Sequence, residues 1–482
     1  MPPLARPARI QPVSRLVVRD TLIAVPAPLA PAGKNLLDHL LFALKHEPIQ
    51  LPILQEALRL IPAADVIAAL RQTPTGAYIR RAAWLWEQVN GQSLPLPNGK
   101  AAGNYIDFFD DKDYITGKVW VRCPKFRVQF NGIGPLAYCP VVPRDACLIA
   151  EGEQILQILA SWTSSPDNRP MMDRIMSWVY LSEAHSSFAI ERETSTPGKE
   201  AAFLRALSHL DQPLSESYLV DLQNMLMSSP FGMEASFRHQ QNWLQRGGHG
   251  ALAVRYIPPP PEHLGSLMDG LMQLANAEDA VPPLIKAALI SFGFVYLHPF
   301  MDGNGRLSRL LMQHTLRQKR VLPDMPGANA ILPLSVIMKQ QENDYLQTLE
   351  AFSQPLRSLW DVRFIDQGSF HFEFRSTPFV YAHWQGGAAA RFITRCARQA
   401  LQDSLMGEAA YLKAYDRAYR AIDQHFDLPD RLINLLIQWI HQNDHRLPNR
   451  RKKQEDIALR LSAEDMARIE QLVSDAFEDK AS

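Results

Sequence analysis

The stretch His298–Arg309 reads HPFMDGNGRLSR. It gathers an imidazole, a carboxylate, two glycines flanking an asparagine, and two guanidinium groups. A long apolar run, PPLIKAALISFGFVYL, precedes it, and RLSRLLMQHTLRQKR, apolar at helical spacing, overlaps its end. The stretch is therefore a loop feeding a helix N-terminus. Free backbone N–H groups there, with the helix dipole, form an anion site. Gly303 and Gly305 allow positive φ and close approach of a ligand to the backbone. Arg306 and Arg309, three residues apart, share one helix face. Two guanidinium forks at an anion nest suit a polyphosphate. Asp302 is a hard oxygen ligand for Mg²⁺, which would bridge phosphate oxygens. His298 titrates near neutrality and is suited to take a proton from an attacking hydroxyl. The parts describe a nucleotide site with a general base.

The surrounding chain must position these groups. Residues 35–90 carry apolar residues at intervals of three and four and read as helices, with Gly91 as a stop. KVWVRCPKFRVQF alternates as a strand or hairpin does. Helical periodicity returns from about Glu151. A non-helical interval, 228–262, contains the turn signal GGHG between two short strand-like pieces, stopped by the prolines 258–261. This predicts a β-hairpin inserted among helices. Pro282 or Pro283 suits the first turn of the apolar helix before His298. Residues 391–482 read as helical. Residues 1–33, broken by prolines, read as a loosely ordered arm.

The loop resembles the signature of the Fic family, H-x-F-x-D/E-G-N-G-R-x-x-R, at His298, Phe300, Asp302, Gly303, Asn304, Gly305, Arg306 and Arg309. The likeness spans roughly 155–395 and is densest from 237 to 312. It implies a mainly helical catalytic domain that transfers AMP from ATP to a protein hydroxyl and releases diphosphate. It also implies roles. His298 would activate the target hydroxyl, Asp302 would bind Mg²⁺, and Gly303, Asn304 and Gly305 would cradle phosphates. Arg306 would contact the β-phosphate, Arg309 the γ-phosphate, and Phe300 would anchor the loop. The hairpin, ending in YIPPPPE, resembles the family's flap, with Tyr256 and Ile257 positioning a target segment by strand addition. Tyr345 and Ser353 in NDYLQTLEAFS fall where family members contact adenine.

SSFAIERE, 186–193, is similar to the family's inhibitory motif S/T-x-x-x-E-G/N at Ser187 and Glu191, with Arg192 in place of Gly or Asn. The likeness implies that Glu191 pairs with Arg309 and displaces the γ-phosphate, since carboxylate and phosphate compete for one guanidinium.

The expected organisation is a mixed α/β region over 1–150, a Fic-type domain with inhibitory helix and flap over 151–395, and a helical region over 396–482. Fifty Lys plus Arg balance fifty Asp plus Glu, so no global charge points to nucleic acid or membrane. Four cysteines without C-x-x-C spacing and the lack of a transmembrane run predict a soluble cytoplasmic protein. ATP, a target protein, self-modification and homo-oligomerisation are the expected associations. Transfer of phosphate or phosphocholine and removal of AMP remain open. G-N-G instead of the A-N-K of phosphate-transferring Doc-type toxins favours AMP. A regulatory scaffold that binds nucleic acid through Lys118, Arg122, Lys125 and Arg127, or through Arg450–Lys453, also remains open.

Overall fold

The structure is a computed structural model. It describes residues 6–478, apart from 32, 34, 97–98, 228–231, 246, 248–249, 326–327 and 367–368. The described residues are mainly helical, with five small sheets. Helix Pro283–Leu297 lies at the centre, and every residue from Leu284 to Leu297 is buried. A helix apolar on all sides has no solvent face and must be wrapped by others. Pro283 opens it, where its missing N–H costs nothing. Helices Pro261–Asn276, Asn304–Gln318 and Gly387–Gln399 pack around it.

Helix Met172–Ile190 packs on the short helix Leu334–Gln340. The join is polar and fully buried. Glu183 accepts from the Ser335 backbone N–H at 2.8 Å and its hydroxyl at 2.6 Å. Burial pushes the Glu183 carboxyl up to about 7, against the pull of Ser335 and Arg309.

The N-terminal reading needs one correction. Residues 8–26 are not a loose arm. Ala8–Gln11 pairs in parallel with Ile23–Pro26, and Val17–Val18 pairs antiparallel to the same strand. Burial of Ile23, Ala24 and Val25 outweighs the proline interruptions. Four helices follow, Leu36–His46, Leu51–Leu60, Ala63–Gln72 and Ala77–Asn90. Gly91 ends the last one at φ 63°, the left-handed conformation that glycine tolerates. The alternating stretch forms Val121–Cys123 and Val128–Phe130, antiparallel, with Ile106–Asp107 on the other side. Trp84, Phe108 and Phe130 fill the core between helix and sheet.

This region is fastened to the central helices by backbone. Cys139 N–H donates to Ala382 O at 2.9 Å and Val141 N–H to Trp384 O at 2.8 Å, while Gly386 N–H donates back to Val141 O at 2.8 Å. Tyr138 enters the central core, and Trp384 Nε1 donates to its hydroxyl at 3.0 Å. Gly293 lets the ring in, because a Cβ there would stand 2.3 Å from the Tyr138 hydroxyl.

A hairpin that sequence reading passed over, Trp360–Asp366 with Ser369–Phe374, packs its aromatic face on Trp243. Helix Gly387–Gln399 runs on through a π segment, Ala400–Met406, into Gly407–His425. The end of the latter helix and the helices after it close a separate apolar cluster around Ile433, Leu436, Ile437 and Val473. Among the described residues, no helix is long and apolar enough to cross a membrane.

The Tyr138 contact generates a stability test. Gly293→Ala should overpack the junction and destabilise by about 1–3 kcal/mol. Thermal denaturation monitored by circular dichroism should show a lowered midpoint, while Gly198→Ala, which meets nothing within 4 Å, should leave it nearly unchanged.

Candidate active site

His298 caps the central helix in a left-handed conformation, φ 50°. Its Nδ1 lies 3.0 Å from Val295 O. A carbonyl only accepts, so Nδ1 carries the proton and Nε2 presents a lone pair. Burial lowers the imidazole to about 4, further lowered by Arg238 and partly offset by the Val295 bond, Glu191 and Asp302. The expectation of titration near neutrality is thereby corrected. The ring is neutral at physiological pH because its surroundings do not solvate the charged form.

The loop beyond it is tied down by its own residues. Phe300 is buried between Phe237 and Phe294. The Asn304 side chain accepts from Phe300 N–H at 2.9 Å and donates to Phe300 O at 2.8 Å. Its amide is spent on the loop, so what it can offer an anion is its backbone N–H. Gln223, from helix Glu216–Leu226, donates to Asp302 O at 2.8 Å. The two glycines do different work. Gly303 takes φ 77° as N-cap of helix Asn304–Gln318. Gly305 is ordinary helix, and its role is space: a Cβ there would lie 1.9 Å from Glu191 Oε1. The Glu191 carboxylate therefore lies against the first turn of that helix.

Arg309 is fully buried. It donates from Nε to Ser187 Oγ at 2.8 Å and from Nη2 to Ser187 O at 2.7 Å, and pairs with Glu191 Oε1 at 2.9 Å. Arg306 faces a second carboxylate, Glu193 Oε2, at 3.2 Å, and lies 5.4 Å from the Phe188 ring centre. Glu193 also holds Lys199 at 2.9 Å. Arg306 Nε and Arg309 Nη1 are buried without a hydrogen-bond partner among the described residues. Asp302 accepts from Gly303 N–H at 2.6 Å with one oxygen, and its other oxygen is 3.5 Å from Arg306.

Arg192 explains why glycine or asparagine is usual at its position. Glu193 N–H donates to Phe188 O and Arg192 N–H to Ala189 O, both at 3.1 Å. This is a Schellman turn with Arg192 as its left-handed residue, φ 59°. The turn survives an arginine, and it aims Glu191 and Glu193 at the two motif arginines.

The hairpin is present as Leu244–Gln245 paired with Val254–Tyr256. Of the GGHG turn, residues 248–249 lie outside the described residues. Tyr256 is buried and donates to Tyr296 O at 2.5 Å. Ile257 is buried beside Val254 and Trp360. Both side chains anchor the hairpin from within. Tyr345 is buried against Phe292 and Phe392. Its phenol is pushed up to about 12 by burial, with Arg309 pulling it down. Ser353 is half-buried on the same helix, Glu342–Arg357.

Sequence reading missed Gln223, Glu193 and Arg238. Glu193 was legible as the next acidic residue after Glu191. Gln223 and Arg238 lie far from the loop in sequence, and only the fold brings them to it.

A lone-pair nitrogen beside a helix N-terminus, backed by two buried arginines and fronted by a hairpin, defines a helical domain built round a base-equipped anion nest. Residues 213–316 match the model of the Fic/DOC family. The chain is 24% identical over 292 residues to a protein from Nematostella vectensis named protein adenylyltransferase Fic, covering 54% of this chain and 57% of that one. A protein of the same name from Drosophila yakuba is 36% identical over 116 residues, 24% of this chain and 19% of that one. The chain thus spans under two thirds of the length of either relative. A crystal structure of a Fic family protein from Desulfovibrio desulfuricans G20 aligns with a TM-score of 0.41 at 16% identity, over 58% of this chain and 80% of that one.

The strained Schellman turn makes Arg192→Gly an expected stabilising change. A left-handed non-glycine residue costs roughly 1–2 kcal/mol, part of which is returned to the unfolded state as glycine's extra freedom. The melting midpoint should rise, whereas Arg192→Val should lower it.

Proposed function

We propose that this chain is a protein adenylyltransferase that moves AMP from ATP to a hydroxyl side chain of a target protein, with itself as one substrate. One observation carries the reading: the Nε2 lone pair of His298 stands beside a helix N-terminus backed by Arg306 and Arg309, inside the segment that matches the Fic/DOC family. The names of the relatives support it.

In this mechanism the triphosphate lies along the first turn of helix Asn304–Gln318. The backbone N–H groups of Asn304 and Gly305 face it, while that of Gly303 donates to Asp302. Arg306 and Arg309 hold the β- and γ-phosphates, and their unpartnered nitrogens are spare donors for that purpose. The target oxygen attacks the α-phosphorus as His298 Nε2 takes its proton. The new O–P bond forms while the bond to the diphosphate breaks, and the diphosphate leaves with the electron pair. Asp302 would hold Mg²⁺, whose charge would neutralise the phosphates. Its side chain is 70% exposed, and no cluster of three or more His, Cys, Asp or Glu surrounds it among the described residues. One carboxylate with phosphate and water oxygens suits Mg²⁺.

The same reading makes Glu191 inhibitory. Its carboxylate lies against Gly305 and binds Arg309, where the γ-phosphate would go. Glu193 extends the inhibition to Arg306. Two carboxylates then compete with two phosphates, one against each guanidinium.

The scaffold alternative has less support. Arg122 stacks on Tyr105 and Lys118 on Trp120, Lys125 pairs with Glu87, and Arg127 donates to Gly103 O. In the tail, Arg451 stacks on Trp439 and Lys452 pairs with Glu470. These cations are engaged within the chain. We place the protein in the cytoplasm on the strength of four free cysteines.

His298→Ala should slow self-modification on the order of 10²–10⁴-fold, measured as radiolabel incorporated from ATP labelled at the α-phosphate, with an unchanged melting midpoint. Equal labelling of parent and variant would remove His298 from the mechanism.

Glu191→Gly should raise the rate at saturating ATP by about ten- to a hundredfold, the equivalent of one charged hydrogen bond. Glu193→Gln should act on affinity and lower the Kd for ATP by about three- to tenfold, since its partial exposure screens the pair. Calorimetry on both variants separates the effects, and unchanged ATP binding in Glu193→Gln would leave Glu191 as the sole inhibitory carboxylate.

A further inference from the structure

A buried guanidinium is ordinarily matched by a carboxylate, because desolvating an unpaired charge is costly. Arg238 departs from that pattern. It is 4% exposed, and among the described residues its side chain donates only to backbone carbonyls: Nε to His298 O at 2.9 Å, Nη1 to Gln240 O at 2.9 Å and Nη2 to Pro259 O at 2.6 Å. Its own N–H donates to Pro299 O at 2.8 Å. Gln240 and Pro259 lie at the two roots of the hairpin Leu244–Gln245/Val254–Tyr256. One side chain thus joins both roots of the hairpin to the backbone of the histidine.

The hairpin needs such a joint. Its strands are two and three residues long, too short to hold a direction unaided. Neighbours strengthen the seam. Gln241 Nε2 donates to Pro258 O at 3.0 Å, and Asn242 Nδ2 to Phe300 O at 3.0 Å.

We propose that Arg238 is a positioning residue for the transfer reaction, fixing the His298 imidazole relative to the segment that the hairpin presents. This rests on the adenylyltransferase reading above. A base displaced by about 1 Å loses on the order of a hundredfold in rate, so a rigid joint between base and substrate platform is worth a buried charge. A second consequence follows because no carboxylate lies within ion-pair distance of Arg238 among the described residues. A closely paired arginine would largely cancel its own field, whereas Arg238, with Glu262 acting on it only from beyond ion-pair distance, still acts on His298. It adds to burial in holding the imidazole neutral, against Glu191 and Asp302, which act in the opposite sense. A base works above its pKa and is lost as pH falls through it. Removing the Arg238 charge should raise the His298 pKa and move the acidic limb of activity to higher pH.

Two substitutions separate geometry from charge. Arg238→Lys keeps the charge and loses the three-armed fork. Arg238→Gln loses both. Self-modification should fall about ten- to a hundredfold in each, with the Kd for ATP within about twofold of the parent. The titration of His298, followed by NMR of histidine-labelled protein, should move up in Arg238→Gln and stay in place in Arg238→Lys. If both variants keep the parent's rate, or if the rate falls only in step with ATP affinity and melting midpoint while the His298 titration stays fixed in Arg238→Gln, Arg238 is merely structural and the proposal fails. If the parent itself transfers no AMP, the adenylyltransferase reading fails. The His298 titrations then still decide whether Arg238 acts on the imidazole.

Discussion

A fully buried guanidinium is costly to keep without an anion or a full set of carbonyl acceptors, and the site is organised around that constraint at Arg309. Its hydroxyl and carbonyl partners at Ser187 satisfy two donors, but neither neutralises the charge. Glu191 does. The space for that carboxylate exists because Gly305 has no side chain, and the direction of approach exists because the chain turns at Arg192. The interior at this point therefore favours a negative group, which Glu191 supplies. In the adenylyltransferase reading, competition between Glu191 and a phosphate would follow from burial more than from any single contact.

The motif loop was legible in sequence because its chemistry is local. His298, Asp302, Arg306 and Arg309 lie within one loop and one helical turn, so residue types at fixed spacing fixed their neighbourhood. Even there, spacing left out how a residue is used. Gly303 and Gly305 look equivalent, yet one supplies a backbone conformation and the other an absence of bulk. Asn304 looks like a ligand, and its side chain holds the loop shut. The histidine's lowered pKa depends on burial and on Arg238, neither of which the local sequence displays.

Long-range features were less legible. Arg238 precedes the histidine by a whole hairpin and two helices, and nothing in FRHQQNW distinguishes it from a surface arginine. The hairpin Trp360–Phe374 was readable from its alternation and was passed over, because helices on both sides dominate that stretch. The strands of residues 8–26 were hidden by prolines at their borders, and only the burial of Ile23–Val25 shows why they form. The helices of 36–90 and the central helix, each with strong periodicity or unbroken apolarity, were the most predictable elements.

The attachment of helix Met172–Ile190 has a consequence for time. Glu183 fastens its middle to Ser335, and Val179, Ala184 and Phe188 are sealed in the core. The helix that carries Glu191 is thus not a lever free to swing away. What is left to move is the side chain at its C-terminal end, which is 36% exposed. Rotamer changes of such side chains take picoseconds to nanoseconds, far faster than domain movements. In the adenylyltransferase reading, Glu191 would leave its seat by turning its own side chain, with no domain movement to wait for. Such a protein would run at a steady fraction of its full rate, without long active and silent episodes, and a regulator would act by shifting that fraction.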